Sequence, residues 1–140
     1  MIQDRIVGVG IDLVEIAEIK RLLSDPGGHF LRRCFTDAER ATAGAGARGE
    51  RRLAGRFAVK EAVVKAIGTG WGDGIAWNDI EVLAASSGAP LVTLRDGAAA
   101  AAGHVRQWFV SVSYAGAYVT AVALAVGERP ECSDRTCGEI

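Results

Sequence analysis

Charged residues within an apolar helix are the first candidates for chemistry in this chain. The stretch Leu53–Gly70 combines good helix formers with spaced apolar residues, which predicts one helix of about four turns closed by Gly68. Glu61 and Lys65 lie on one side of that helix, and Lys60 lies within its apolar arc. A helix that is apolar nearly all round is usually buried, so its charges are paired, bound to a ligand or at the rim of a cleft. A simple ion pair between Glu61 and Lys65 is the alternative to a ligand-binding role.

Asp12 is the second candidate, because it lies near the end of a predicted strand, Ile6–Leu13. Apolar residues alternate on one face of that strand, and Gly8, Gly10 and Asp12 share the other face. Since the glycines have no side chain, another backbone or a ligand can approach that face closely. A dinucleotide-binding G-x-G-x-x-G motif is rejected, because its third glycine falls on a leucine. Asp12 therefore either meets a ligand or caps the helix that follows.

A glycine-rich segment, residues 68–74, follows the central helix. Its backbone amides could approach a phosphate, but the same composition is common in tight turns. Both interpretations stay open at this point.

The predicted helices and strands that position these residues indicate one α+β domain over residues 1–127. Its mainly antiparallel sheet is expected to pack on the central helix. The polar segment 128–140 is expected to be a disordered tail. The other predicted elements are a helix Val14–Leu23, a short helix beginning at the capping box Thr36–Glu39, a loop Ala43–Gly49, a hairpin of strands Trp77–Leu83 and Leu91–Leu94, a helix from Asp96 to about Gln107, and strands Trp108–Tyr114 and Tyr118–Val126.

Composition limits the class of protein. Hydrophobic residues make up 49% of the 140 residues, and the formal net charge is −1, so we expect no bulk attraction to nucleic acid or to a membrane surface. We expect no signal peptide, because the first residues lack a basic region followed by an uninterrupted apolar run. We expect no membrane span, because no apolar stretch of about 18 residues is free of charge. Three cysteines, Cys34, Cys132 and Cys137, match no common zinc-binding spacing and are interpreted as reduced thiols of a cytoplasmic protein.

Several segments together carry a family resemblance. They are Gly8-Val9-Gly10-Ile11-Asp12-Leu13-Val14-Glu15-Ile16, Phe35-Thr36 with Glu39, the run from Leu53 to Ala62 followed by Lys65-Ala66, Gly68-Thr69-Gly70, Asp79-Ile80-Glu81-Val82, Gly88-Ala89-Pro90 and Ser111-Val112-Ser113. In this order and spacing, over Ile6–Val126, the chain resembles the holo-(acyl-carrier-protein) synthase family of 4′-phosphopantetheinyl transferases. The pairing of G-x-D-x-x-E with R-F-x-x-K-E-A-x-x-K-A is highly specific, whereas any single segment would not be.

The resemblance implies transfer of 4′-phosphopantetheine from coenzyme A to a serine of an apo acyl carrier protein, releasing adenosine 3′,5′-bisphosphate. A serine that attacks a pyrophosphate requires neutralised phosphate charge, and Mg²⁺ prefers carboxylates, waters and substrate phosphates. Asp12 and Glu61 match the family's Mg²⁺ ligands, and Lys65 matches its lysine at the pyrophosphate; these three are the expected catalytic residues. The expected coenzyme-binding residues are Arg56, Lys60, Lys65, Gly68, Thr69, Gly70 and Ser113. A homotrimer with active sites at subunit interfaces is also implied.

Two positions depart from the family pattern. Glu18 replaces a base that helps to dock the acidic carrier protein, and Arg21, Arg32 or Arg33 is expected to compensate. Tyr114 stands where the family often has histidine after S-x-S, and it is expected to contact the nucleotide. Because of these departures, the sequence does not decide whether the carrier protein is of the fatty-acid or the polyketide type.

Two alternatives to this transfer reaction are open. One is a family relative that performs another reaction on a carrier-bound thioester, and the other is a non-catalytic module that binds coenzyme A or a carrier protein. The retained Asp12, Glu61 and Lys65 favour transfer over both.

Overall fold

The computed structural model describes residues 3–72 and 74–128, so the predicted tail lies outside the described residues except for Glu128. The elements in chain order are β1 (Arg5–Glu15), α1 (Ile16–Leu23), α2 (His29–Cys34), α3 (Asp37–Ala43), α4 (Gly46–Ile67), a 3-10 turn (Trp77–Asp79), β2 (Ile80–Ala84), β3 (Pro90–Leu94), α5 (Asp96–Ala101), β4 (Val105–Ala115) and β5 (Tyr118–Gly127). No helix in the described ranges is long and apolar enough to cross a membrane.

The long helix α4 packs on a three-stranded antiparallel sheet with the strand order β1-β5-β4, and β2 and β3 form a separate hairpin. This arrangement confirms the predicted α+β fold. Close packing rests on small residues, because β5 turns Ala121, Ala123 and Ala125 inward, and each is at most 1% exposed. On α4, Ala58 and Ala62 are fully buried in the same core cluster.

The two glycines of β1 let the backbone of α4 approach the sheet, as the sequence predicted for that face. A Cβ added at Gly8 would overlap the carbonyl oxygen of Ala66, and one at Gly10 would overlap that of Ala62. Any larger residue would therefore push α4 away from β1, which is the contact that builds the site described below.

The opposite face of β1 is apolar and exposed. Val9, Ile11 and Leu13 are 59%, 64% and 66% exposed, and Phe109 on β4 is 50% exposed. A contiguous apolar surface of this kind is typical of an interaction site rather than of a free protein surface.

Four predicted boundaries need correction. The strand predicted from Trp77 begins only at Ile80, because Trp77–Asp79 form a 3-10 turn, in which the Asp79 side chain accepts a hydrogen bond from the Ala76 amide. Helix α4 begins at Gly46 rather than Leu53, because Gly49 packs on the Gly44 carbonyl and shortens the expected loop to a tight turn. The strand β1 continues through Glu15, which pairs with Tyr118 of β5 and so delays the first helix. Helix α5 ends at Ala101, since Val105 onward pairs with β5 as β4. In the last two cases strand pairing overrides local helix propensity.

Candidate active site

The packing of β1 against α4 brings Asp12 and Lys65 together. Lys65 Nζ lies 3.0 Å from Asp12 Oδ1 and also donates to the Ile11 carbonyl at 3.0 Å. The Lys65 side chain is 52% exposed, whereas that of Asp12 is only 16% exposed. The simple Glu61–Lys65 ion pair that spacing allowed is therefore not the one that forms. The lysine pairs across two elements, with the predicted strand carboxylate.

Glu61 is half-buried on α4, and its carboxylate accepts a hydrogen bond from Trp71 rather than from Lys65. Trp71 Nε1, in the segment after α4, donates to Glu61 Oε2 at 3.3 Å. Burial raises the pKa of the Glu61 carboxyl above its ordinary value, and the Trp71 hydrogen bond acts in the opposite direction. The charge of Asp12 adds to the increase in this pKa, and Lys65 lowers it. The charge of Asp12 therefore acts on Glu61 electrostatically, as expected of groups that share one site.

Asp12 and Glu61 open onto one surface cavity of about 500 Å³. Its other lining residues are Leu13, Val14, Glu15, Glu18, Ile19, Leu22 and Phe57. Among the described residues, no group of three or more His, Cys, Asp or Glu side chains could hold a metal ion. A cation between the two carboxylates would therefore need further oxygen ligands from water or a substrate, which is how Mg²⁺ is commonly bound.

A second cavity, of about 490 Å³, lies between α4, the β2–β3 hairpin and β4, and its walls are partly basic. Arg52, Arg56 and Tyr114 line it, and the Arg51 guanidinium lies 4.5 Å from the centre of the Tyr114 ring. Tyr114 can occupy this position only because residue 55 is glycine, since a Cβ there would overlap the tyrosine hydroxyl. The cavity combines cationic groups with an aromatic ring, a combination that suits a phosphorylated, planar ligand.

The remaining lining residues of this second cavity are mostly apolar. They are Thr42, Gly55, Val59, Val82, Leu83, Ala84, Gly88, Pro90 and Val112.

Lys60 requires a correction, because it is fully buried and its ammonium group is fully used. Nζ donates to the Cys34 carbonyl at 2.5 Å, to Glu39 Oε1 at 2.7 Å and to the Trp77 carbonyl at 3.2 Å. Both partners of the Lys60–Glu39 salt bridge are 0% exposed. An ammonium group has three N–H donors, so this lysine has none to offer a coenzyme phosphate. Its position is structural.

Arg56 has a mixed environment. It is 8% exposed, and its Nη1 donates to the Glu39 carbonyl at 2.5 Å and to Thr42 Oγ1 at 3.0 Å. The same side chain lines the second cavity. It therefore supports α3 from one side and stays adjacent to a ligand-sized space on the other.

The other predicted coenzyme residues lie at the surface. Gly68, Thr69 and Gly70 are exposed just after α4, where Gly68 ends the helix with a left-handed backbone at φ 91°. Ser113 is exposed on β4 opposite Thr120 of β5. None of these four needs to move out of a packed interior to meet a ligand.

The predicted docking arginines have different partners. Arg21 is engaged by Glu18, with Nη2 at 2.5 Å from Oε1 and Nε at 3.1 Å from Oε2. Arg32 Nη2 donates to the Gly27 carbonyl at 2.6 Å, and Arg33 is exposed. The Glu18–Arg21 pair neutralises two of the charges at this position. The exposed basic groups nearby in sequence are Lys20, which lies 3.8 Å from Glu50, and the arginines of α2.

Sequence reasoning missed Trp71 and Arg52 as site residues. Trp71 lies within the segment 68–74, which was interpreted from its glycines alone. The indole N–H in that segment is a hydrogen-bond donor, and it is the group that contacts Glu61. Arg52 received no role from the sequence. Arg52 lies four residues, or just over one turn, before Arg56, so helical periodicity places both on one side of α4 once the helix begins at Gly46.

A family model described as the 4′-phosphopantetheinyl transferase superfamily matches residues 8–123 of the chain. Among curated proteins, the chain is 43% identical over 114 residues to a holo-[acyl-carrier-protein] synthase of Methylobacterium radiotolerans, covering 77% of this chain and 84% of the relative. It is 40% identical over 124 residues to the synthase of Desulforudis audaxviator, covering 87% of this chain and 94% of the relative.

Solved structures of holo-(acyl-carrier-protein) synthases are also similar to this chain. The Bacillus anthracis holo-(acyl-carrier-protein) synthase in complex with CoA (3′,5′-ADP) aligns with a TM-score of 0.74 at 32% identity, covering 88% of this chain and 98% of that one. The Helicobacter pylori synthase in complex with coenzyme A aligns with a TM-score of 0.75 at 28% identity, covering 84% of this chain and 98% of that one.

Proposed function

The chain belongs to the 4′-phosphopantetheinyl transferase superfamily and is an enzyme of the holo-[acyl-carrier-protein] synthase type, and from this premise we propose its reaction and site. The serine hydroxyl of an apo acyl carrier protein attacks the β-phosphorus of coenzyme A, which forms the new phosphoester bond. The pyrophosphate bond breaks, and adenosine 3′,5′-bisphosphate leaves. The single observation that supports this reaction best is the meeting of Asp12, Glu61 and Lys65 across β1 and α4.

We propose that Asp12 and Glu61 bind Mg²⁺. The donor set fits, because both groups supply oxygen and share a cavity, and Glu61 accepts one hydrogen bond within the described part of the chain. When bound, the cation supplies neutralisation of charge on the pyrophosphate oxygens. Burial, and to a smaller extent the charge of Asp12, raises the pKa of Glu61, and the same cation would oppose that shift by favouring the charged carboxylate.

Lys65 has the reach and the charge to contact the pyrophosphate. Its half-exposed ammonium group is held beside Asp12, at the edge of the cavity, by two hydrogen bonds of 3.0 Å. A preorganised cation stabilises charge that develops on the leaving group as the bond breaks. The serine proton leaves either to Glu61 or to a water molecule.

The coenzyme would be held by its phosphates and its base. Arg56 and Arg52 supply positive charge beside the second cavity, and Tyr114 supplies an aromatic wall. Gly68–Gly70 and Ser113 remain proposed contacts, because these residues are exposed. Lys60 is not part of this proposal, since its three donors are used inside the fold.

We propose a homotrimer assembled through the exposed outer face of the sheet. Val9, Ile11, Leu13 and Phe109 form an apolar surface that a second copy can cover. Such an assembly would also allow the cavity of one copy to meet the carboxylates of the next. Arg32 and Arg33 are the proposed contacts for an acidic carrier protein, in the cytoplasm.

The experiment that tests this function is the mass of an apo acyl carrier protein after incubation with the chain, coenzyme A and Mg²⁺. We expect the carrier to gain one phosphopantetheine, and the gain to require Mg²⁺. An unmodified carrier, with coenzyme A still bound by the chain, would instead support the non-catalytic alternative. Parallel assays with fatty-acid and polyketide carriers decide the substrate.

A further inference from the structure

The side chain of Trp71 touches Glu61 directly, yet the proposed reaction gives it no role. Its indole Nε1 donates to Glu61 Oε2 at 3.3 Å. Because Trp71 lies beyond the end of α4, this hydrogen bond ties the segment after the helix back onto the helix. Glu61 Oε1 receives no protein hydrogen bond from the described residues. The two carboxylate oxygens are thus in different environments.

An aromatic stack fixes the indole. The rings of Trp71 and Trp77 lie 3.8 Å apart between centroids at an angle of 21°, and those of Trp77 and Phe57 lie 4.8 Å apart at 17°. Phe57 is on α4, one turn before Glu61, and lines the same cavity. The stack therefore begins on α4 and returns to α4 at the carboxylate, which leaves the indole little freedom to turn away.

A buried charge anchors the middle of this stack. The Trp77 carbonyl accepts a hydrogen bond from Lys60 Nζ at 3.2 Å, and Lys60 is itself held by Glu39. Phe57, Lys60 and Glu61 all project from the same stretch of α4, so the helix holds both the stack and the carboxylate that the stack supports.

We propose that Trp71 is a positioning residue for Glu61: its N–H holds Oε2 and leaves Oε1 to the cation that Glu61 shares with Asp12. The proposal rests on the proposed function, in which those two carboxylates bind Mg²⁺. Hydrogen bonds to ligating carboxylates orient them, and losing such a partner commonly weakens metal affinity by about 10- to 100-fold. A purely structural Trp71, packed on the core only through its ring, would have no such effect.

The hydrogen bond itself can be tested without changing position 71. A ¹⁵N-labelled chain gives one indole N–H signal for each of its three tryptophans, and W77F and W108F identify the Trp71 signal by elimination. We expect Glu61→Ala to move the Trp71 signal and to leave the Trp108 signal in place. A Trp71 signal unmoved by Glu61→Ala would overturn the proposal.

Metal affinity is the second readout and does not depend on turnover. Mn²⁺, as a paramagnetic probe for Mg²⁺, is titrated against each variant in the presence of coenzyme A, and free Mn²⁺ is measured by electron paramagnetic resonance. Trp71→Phe keeps a ring for the stack but removes the N–H, and we expect affinity to fall by about tenfold or more. Trp77→Phe is the matched control, because it removes an indole from the same stack without removing the bond to Glu61.

The outcomes distinguish failure of the positioning role of Trp71 from failure of the proposed metal site. If Asp12→Asn weakens Mn²⁺ binding but W71F and W77F both bind it like the unmodified chain, the positioning role is wrong and the metal site stands. If Asp12→Asn binds Mn²⁺ like the unmodified chain, the proposed metal site fails and Trp71 has no cation to serve. Selective loss in W71F, with its Tm close to that of W77F, supports the proposal.

Discussion

The structure and the family resemblance predict different effects of replacing Lys60 by methionine. The resemblance implied a coenzyme contact, whereas the structure buries this lysine completely against Glu39. Methionine has a similar length and fills the same space, so the change removes charge and hydrogen bonds rather than volume. Among the described residues, the donors left to the Glu39 carboxylate would be the Thr36 and Val82 amides.

The expected cost follows from what is left behind. Removing one partner of a buried ion pair costs about 3–5 kcal/mol, because the other charge stays buried and uncompensated. The Cys34 and Trp77 carbonyls also lose their donor. For a chain of this length such a loss corresponds to a decrease in Tm of roughly 10–20 °C. Below its Tm, the variant should keep the KM for coenzyme A of the unmodified chain, since Lys60 touches no ligand space.

The assay combines thermal unfolding with coenzyme kinetics. Lys65→Met is the matched control on the same helix, and its half-exposed pair with Asp12 should contribute less than about 1 kcal/mol of stability. The double variant K60M/E39Q should recover part of the lost Tm, because the glutamine carries no uncompensated charge. A Lys60→Met variant with an unchanged Tm and a raised KM for coenzyme A would refute this reasoning and return the lysine to the phosphate site.

Three further predictions follow from individual residues. Lys65→Ala should lower turnover by about 100-fold or more, which corresponds to about 2.7 kcal/mol of transition-state stabilisation, while Lys65→Arg stays partly active and both keep a near-normal Tm. Arg33→Glu should raise the KM for the carrier protein, as should added salt, with little change in the KM for coenzyme A; the reverse pattern would move Arg33 to the coenzyme site. Burial raises the pKa of the Cys34 thiol to about 11, so in C132S/C137S the native chain should resist thiol reagents near pH 8, and its stability should fall between pH 9 and 11, where only the unfolded thiol ionises. Fast labelling of the native thiol, or stability that does not change across that pH range, would contradict this burial.

Local sequence patterns predicted the parts of the fold that local contacts decide. The capping box at Thr36 and Glu39 is present, with the side chain of each residue accepting a hydrogen bond from the backbone amide of the other. The bare glycine face of β1 meets another backbone, as expected. The capping box forms within one helical turn, so it depends only on nearby residues. The glycine face depends on a lack of side chains, which allows any neighbouring backbone to come close.

Partners distant in the sequence could not be predicted in the same way. Glu39 also receives Lys60 Nζ and the Val82 amide, from α4 and β2, and no pattern around Glu39 names them. Lys65 pairs with Asp12, although the spacing within α4 favoured Glu61. That choice depends on how β1 lies against α4, which is a property of tertiary packing rather than of helical periodicity.

The measurement that tests the central claim most directly compares Asp12→Asn and Glu61→Gln with the unmodified chain in the carrier-protein mass assay. Each variant removes one charge at nearly constant volume, so the fold should be retained, with a Tm near that of the unmodified chain. We predict that turnover falls by orders of magnitude in both variants and that added Mg²⁺ does not restore it. Near-normal modification of the carrier by either variant would contradict the assignment of these two carboxylates as the centre of the site.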